Sequence, residues 1–282
     1  MSAAAGPKLA PYTLVWKHEA AEHIWDICLE TEGELVQGLK PGMFVNVAVP
    51  GDPSHILRIP LSFYRTDPVR GWICMIVAAV GEGTRRLCSL EPGEGSTLLA
   101  PLGHGWRMPQ EGARRVLLVA GGVGAPPVYA AARMLQARGI DCDVVMGAKS
   151  ERFLWKEGAQ ALSGNDGGAG YESALSRGGF CEVFLATDDG SYGYHGFTTG
   201  LAKELVGKHS YDAILTCGPQ PMMAGVVKIA AEAHIPCQVS MERMMTCGFG
   251  ACNTCNVQMA DGTVRACCQD GPVFDAEEVL WK

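Results

Sequence analysis

What this chain lacks removes whole classes of function. No apolar stretch approaches the ~20 residues that a membrane-crossing helix needs, so no membrane partner is expected. No basic run exceeds the pairs Arg85-Arg86 and Arg114-Arg115, and the formal net charge is −7. A nucleic acid therefore finds no basic face to bind. The N-terminal MSAAAGPKLAP lacks the apolar centre of a secretory signal, which makes the expected location cytoplasmic. The glycine fingerprint G-x-G-x-x-G is also missing, so any dinucleotide site must be built another way.

Cysteine is plentiful by contrast. Twelve of them in 282 residues, a length sufficient for two ordinary domains, are expected to be reduced thiols and metal ligands rather than a disulfide framework. Cys28, Cys74, Cys88, Cys142, Cys181 and Cys237 sit in apolar, strand-like surroundings and read as small buried hydrophobes. Cys247, Cys252, Cys255 and Cys268 differ. Their order, C-x4-C-x2-C-x12-C, is the plant-type spacing of four thiolates around a [2Fe–2S] cluster. Such a cluster takes three ligands from one tight loop and a fourth from a returning segment. Gly248, Gly250 and Ala251 leave room for that loop to close, and its N–H groups can point at the sulfurs. Structural zinc more often uses two short C-x2-4-C hooks, which the solitary last ligand does not match. Spacing alone leaves the choice between Cys267 and Cys268 open.

From Tyr12 to about Trp106, TLVWK, HIWDICLE, MFVNVAV and GWICMIVAAV read as short strands separated by Gly/Pro turns, the pattern of a small antiparallel barrel or sandwich. A short helix is expected from Gly83 to Leu90, with Thr84 capping and Leu87 and Leu90 inward. Two loops look built to receive a ligand. LRIPLSF joins a basic residue, a stiffened backbone and a hydroxyl, and VGEGTRRL offers N–H groups at a helix start. Taken singly, each is as readily a solvated arm or a plain turn. PLGHGW, residues 101–106, reads as a boundary.

From Arg114 the rhythm changes to buried strands alternating with helices, which means a parallel, doubly wound sheet. RVLLVA, CDVVMGA, FCEVFLAT, YDAILTCG and IPCQVSM are its strands. The glycine-rich segments GGVGAPP, ATDDGSYG and CGPQPM fall at the carboxyl ends, where such sheets leave a crevice. Gly121, Gly122 and Gly124 would let a pyrophosphate approach, and Pro126 and Pro127 pre-set a helical turn. Asp188 and Asp189 suit a ribose or a turn cap. Cys217, before Gly218 and Pro219, is expected in the crevice. Residues 156–179, centred on SGNDGGAG, read as a flexible insertion without chemistry.

In this order, PLS, GEGT, PLGHG, GGVGAPP, TDDGSYG, CGPQPM, CGFGACNTC and CQDGPVF resemble the ferredoxin-NADP reductase superfamily. More closely, the chain is similar to the electron-transfer subunits of class 1B dihydroorotate dehydrogenases. The resemblance implies an α+β multi-domain chain. An antiparallel β-barrel FAD domain would span 1–108, a doubly wound parallel α/β NAD domain 109–240, and a small C-terminal [2Fe–2S] domain 241–282. It assigns FAD to Arg58, Ile59, Pro60, Leu61, Ser62, Ile76, Val77, Ala78, Gly83 and Thr84. NAD(H) falls to Gly121, Gly122, Gly124, Asp188, Cys217, Gly218 and Pro219, with Cys217 helping to position the nicotinamide and no residue acting as a covalent catalyst. Cys268, two places before the DGP, becomes the fourth cluster ligand.

The family's flavin motif R-x-x-S ends here at Ser62, yet position 59 is Ile and the arginine is Arg58, whose side chain should leave a strand on the opposite face from that of Ile59. The implied partner is an FMN-containing catalytic subunit in a hetero-oligomer, a heterotetramer by resemblance, that oxidises dihydroorotate in pyrimidine biosynthesis. Electrons would pass through the cluster and FAD to NAD+. The sparse basic residues after the second strand, Lys149 and Arg152, lean to NADH. Subunits of bifurcating ferredoxin:NADP reductases and sulfide dehydrogenases share the architecture but typically begin the cluster motif with aspartate, where this chain has Cys247. A zinc-stabilised binding module is the reading without redox chemistry.

Overall fold

A computed structural model describes residues 6–49, 57–163 and 180–281. The first strands are β1 (Lys8–Ala21), β2 (Ile24–Glu30), β3 (Phe44–Val47), β4 (Ile59–Ser62), β5 (Arg65–Asp67), β6 (Trp72–Ala78) and β7 (Gly95–Leu102), with helices α1 (Gly33–Gln37) and α2 (Glu82–Ser89) between them. Then come β8 (Arg115–Gly121), α3 (Ala125–Gln136), β9 (Asp141–Ala148), α4 (Lys156–Ser163), β10 (Cys181–Thr187), β11 (Tyr194–His195), α5 (Thr198–Lys208), β12 (Ala213–Cys217), α6 (Gln220–Glu232) and β13 (Cys237–Ser240). The chain closes with β14 (Asn256–Gln258), β15 (Val264–Ala266), α7 (Cys267–Asp270) and β16 (Val273–Asp275). Two compact units result. Residues 1–106 and 241–273 make the first, and 107–240 with 274–282 the second, so the cluster motif groups with the N-terminal sheet.

Alternation builds the first unit. Ala10, Tyr12 and Leu14 of β1, Ile27 and Leu29 of β2, Val45 and Val47 of β3, Ile73, Met75 and Val77 of β6, and Leu98 and Ala100 of β7 face one core. The antiparallel order is β4-β3-β7-β1-β2-β6-β5. β4 and β6 are not neighbours in that order, yet their Cα atoms approach within 8 Å, so the sheet curls toward closure. LRIPLSF is therefore strand rather than loop. Pro60 is tolerated there because β4 is the end strand, where a missing N–H breaks no central ladder. In α2 the Thr84 hydroxyl accepts the Gly81 N–H at 3.0 Å, and Leu87 and Leu90 are buried.

In the second unit the parallel order β11-β10-β9-β8-β12-β13 starts at β8 and winds outward in both directions. β8 is buried almost throughout, as a strand covered on both faces should be. The stretch from Lys156 is a correction: it opens as helix α4, which buries Ala159 and Leu162 three residues apart on one face. The rest of the expected insertion, 164–179, lies outside the described residues. Among the described residues no helix is long and apolar enough to cross a membrane.

Candidate redox and nucleotide sites

The cysteine loop is shaped by its backbone. Gly250 has φ +88°, a left-handed conformation that side chains disfavour, and its N–H donates to the Cys268 sulfur at 3.1 Å. The Cys268 N–H donates to the Cys255 sulfur at 3.3 Å, and the Thr254 hydroxyl to the Cys252 sulfur at 3.2 Å. Cys255 and Cys268 are neighbours through that N–H···S bond, and Cys247 stands close enough to Cys252 to stabilise its thiolate. The sulfurs of Cys252, Cys255 and Cys268 thus each take a hydrogen bond from an N–H or O–H donor. Three cysteines on one such loop and a fourth on the segment that returns to it are the donor set of a [2Fe–2S] cluster.

Hydrogen bonds from Thr254 and Cys247 hold the exposed Cys252 thiol down to about 6, whereas burial and then the bond to Cys255 push Cys268 up to about 12. Cys267 is turned away. Fully buried, it donates its thiol to the Met241 carbonyl at 3.3 Å and its N–H to the Cys255 carbonyl at 2.9 Å. PLGHG and DGP prove to be partners: the His104 N–H donates to the Gly271 carbonyl at 2.5 Å, and His104 bridges Pro272. The turn therefore anchors the end of the cluster segment. Thr254 escaped the sequence reading, although a hydroxyl beside a cysteine was a usable signal. Asn46, whose Nδ2 donates to the Cys247 carbonyl at 3.3 Å, gave none, being 201 residues away in sequence.

The curled sheet brings β4 and β6 together, so Ile59 to Ser62 and Ile76 to Ala78 approach although sequence separates them. Register places Pro60 opposite Asn46 and Ser62 opposite Phe44, on the face away from the core that Val45, Val47 and Leu61 fill. On β6, Val77 belongs to the core, leaving Ile76 and Ala78 on the other face. Continuing the β4 alternation puts Arg58 on the face of Pro60 and Ser62. Its guanidinium is engaged with Thr97 of β7, donating to the carbonyl at 2.8 Å and to the hydroxyl at 2.9 Å. Gly83 and Thr84 lie in the first turn of α2, where helical amides have no intrahelical partner. This partly buried groove of strand backbone ending at a helix start fits an extended dinucleotide such as FAD.

In the second unit β8 and β12 are adjacent although β9 follows β8 in sequence, and this switch point is where such sheets bind ligands. Gly121 ends the one strand and Gly122 follows it, while Cys217 ends the other and Gly218 follows. A Cβ on Gly124 would meet the Cys217 carbonyl at 2.2 Å, and one on Gly121 the Met222 sulfur at 2.6 Å. These two glycines thus serve loop packing as well as any ligand. Gly122, at φ +53°, has nothing within 4 Å of its missing side chain, so its open side is the free approach to α3. Pro126 and Pro127 occupy the first turn of α3, and Cys217 is half-buried. Asp188 lies apart, after β10 and two strands from β8. Asp189 caps its own turn, accepting from the Ser191 N–H at 3.0 Å and hydroxyl at 2.6 Å.

The family model described as the iron-sulfur cluster binding domain of dihydroorotate dehydrogenase B matches residues 242–280. The dihydroorotate dehydrogenase B (NAD(+)) electron transfer subunit of Geobacillus thermodenitrificans (strain NG80-2) is 34% identical over 272 residues, 95% of this chain and 97% of that protein. The subunit of the same name from Shouchella clausii (strain KSM-K16) is 35% identical over 95% of this chain and 96% of its own length. Among solved structures, an NADH-dependent reduced ferredoxin-NADP oxidoreductase studied for flavin-based electron bifurcation superposes with TM-score 0.79 at 28% identity, covering 100% of this chain and 92% of that one. A ferredoxin reductase of carbazole 1,9a-dioxygenase, at 19% identity and TM-score 0.60 over 82% of this chain and 66% of that one, shares the fold. Near-full-length identity at this level, together with the matched cluster-binding segment, places the chain in the family of dihydroorotate dehydrogenase B electron-transfer subunits.

Proposed function

We propose that this chain passes electrons between a dihydroorotate-oxidising partner subunit and NAD+ in pyrimidine biosynthesis, as the electron-transfer part of an oxidoreductase. The observation that carries the reading is a cysteine loop whose N–H and O–H donors reach the sulfurs of Cys252, Cys255 and Cys268, in the same unit as the β4/β6 groove. A nicotinamide moves two electrons as hydride and an iron–sulfur centre one at a time, and FAD converts between them.

The chain's own residues bind and orient. Cys247, Cys252, Cys255 and Cys268 hold the [2Fe–2S] cluster, while Gly250 and Thr254 supply hydrogen bonds to its sulfur ligands. Ile59 to Ser62, Ile76 to Ala78, Gly83 and Thr84 form the FAD groove, and Arg58 braces β4 through Thr97. Gly122 and the first turn of α3 receive the pyrophosphate of NAD(H), with Gly121 and Gly124 shaping the loop and Gly218 and Pro219 flanking it. Cys217 borders the nicotinamide end, and Asp188 stands further out, toward a ribose.

The partner is a catalytic subunit carrying FMN, and the assembly a heterotetramer working in the cytoplasm. Co-purified with that partner, the complex is expected to show flavin and iron–sulfur bands and to reduce NAD+ with dihydroorotate. A colourless complex, or one without dihydroorotate-dependent NADH formation, would refute the proposal. The structural likeness to the bifurcating oxidoreductase favours a second reading, an NAD(P)H-linked input subunit of such a complex. That reading is chosen if the same preparation exchanges electrons with ferredoxin and not with orotate.

A further inference from the structure

Asn46 breaks the pattern of its strand. β3 is buried throughout, its neighbours Val45 and Val47 fill the core, and Asn46 itself has no exposed surface. A carboxamide at such a site gives up its hydration and persists only where partners replace it. One partner is visible. Nδ2 donates to the Cys247 carbonyl at 3.3 Å, and Gly248, at φ +79°, makes the approach possible because a Cβ there would meet Nδ2 at 2.4 Å. The amide orientation is fixed by that bond, since the flipped form would set Oδ1 against another carbonyl oxygen. Oδ1 is then buried and takes no hydrogen bond from the described residues.

Register supplies the missing half. Asn46 lies opposite Pro60 of β4, on the face that also carries Ser62. It therefore stands between the strand assigned to the flavin and the loop that carries the first cysteine of the cluster. A flavin offers donors of the needed kind, an imide N–H on its ring and hydroxyls on its ribityl chain.

We propose that Asn46 is a positioning residue joining the two redox sites of the first unit: its Nδ2–H grips the Cys247 carbonyl while its Oδ1 accepts a hydrogen bond from an N–H or O–H of bound flavin. The inference rests on the assignment of FAD to the β4/β6 groove. It makes one side chain responsible both for seating the flavin and for the position of a cluster ligand, so that the separation of the two groups is held by β3 rather than by the loop alone.

The test uses the full chain co-purified with its partner, in the parent and in N46L and N46D. Parent material without flavin and iron–sulfur bands would refute the functional reading itself, whereas the variants address Asn46 alone. N46L keeps the volume and removes both bonds: the flavin dissociation constant is expected to rise about tenfold, the worth of one hydrogen bond, with a shifted electron paramagnetic resonance signal of the reduced cluster. N46D keeps the acceptor toward the flavin but sets a second oxygen against the Cys247 carbonyl. It is expected to bind flavin within about threefold of the parent and still to shift the cluster signal. A role in packing alone predicts neither this split nor the rescue of flavin binding by aspartate. Parental flavin affinity in N46L, or a parental cluster signal in both variants, overturns the proposal. Should N46L not accumulate, N46S, whose hydroxyl is too short for either partner, takes its place with the same expected losses.

Discussion

Replacing each of the adjacent cysteines 267 and 268 by serine separates ligand from scaffold. Cys268 receives the Gly250 N–H at 3.1 Å and lies against Cys255, whereas Cys267 is fully buried and gives its thiol to the Met241 carbonyl at 3.3 Å. In C267S a hydroxyl makes the same bond with slightly less apolar bulk, a change worth about 1 kcal/mol, or about 2–4 °C in melting temperature for a domain of this size. Iron should stay near the parent's two per chain. In C268S the fourth thiolate is gone, and a serine hydroxyl does not ionise near neutral pH to replace it. Iron is expected to fall well below one per chain, with loss of the reduced-cluster resonance signal and bleaching of the visible charge-transfer bands. The assay is iron quantitation beside the spectrum of the anaerobically purified complex. Full iron in C268S together with its loss in C267S would refute the geometric assignment, because one residue of offset along α7 reverses which sulfur faces the loop.

Much of this was legible because local signals agreed. The Val- and Ile-rich stretch GWICMIVAAV and the unbroken apolar run RVLLVA each specify a strand and its burial without help from distant residues. The spacing of the cysteines identified the cluster because three ligands share one loop. What escaped was tertiary. LRIPLSF looked like a loop because proline is penalised in a central strand, and only the sheet order reveals that β4 is an end strand. Taken locally, the glycines of GGVGAPP look like ligand contacts. Yet Gly124 is required by a carbonyl of β12, more than ninety residues further on, which no local pattern encodes. Arg58 is assigned to the flavin by resemblance, and its bonds to Thr97 give it a structural partner on β7 that strand alternation alone does not name. The start of the 156–179 stretch misled for the opposite reason. Glycine and polar residues dominate its centre, and they masked the two apolar positions that make Lys156–Ser163 a packed helix.

Two further perturbations probe the electrostatics. In cluster-free protein, iodoacetamide labelling of Cys252 should follow a titration with its midpoint near 6, because Thr254 and Cys247 stabilise the thiolate. The depressed value means that the reactive anion is present above that pH and disappears as pH falls through it. T254V removes the leading donor and should move the midpoint upward, measured by mass spectrometry of the labelled peptide; a midpoint at the ordinary thiol range in the parent would contradict the geometry. The second concerns the sheet of the nucleotide-binding unit, far from its ligand end. Asp143, almost fully buried in β9, accepts from Arg115 Nε at 3.0 Å and Nη2 at 2.9 Å and from the Tyr211 hydroxyl, while Arg115 is raised above its usual value chiefly by that carboxylate. R115M leaves the carboxylate buried with tyrosine as its remaining side-chain donor and should cost about 3–5 kcal/mol, whereas Y211F removes a single bond and should cost about 1–2 kcal/mol. Because β8 carries both Arg115 at its start and Gly121 at its ligand end, the loss should appear in denaturant titrations of this unit and in NADH affinity near the midpoint, with flavin and iron content of the folded protein unchanged. Equal costs for the two variants would mean that the carboxylate is hydrated in solution and that the network contributes little.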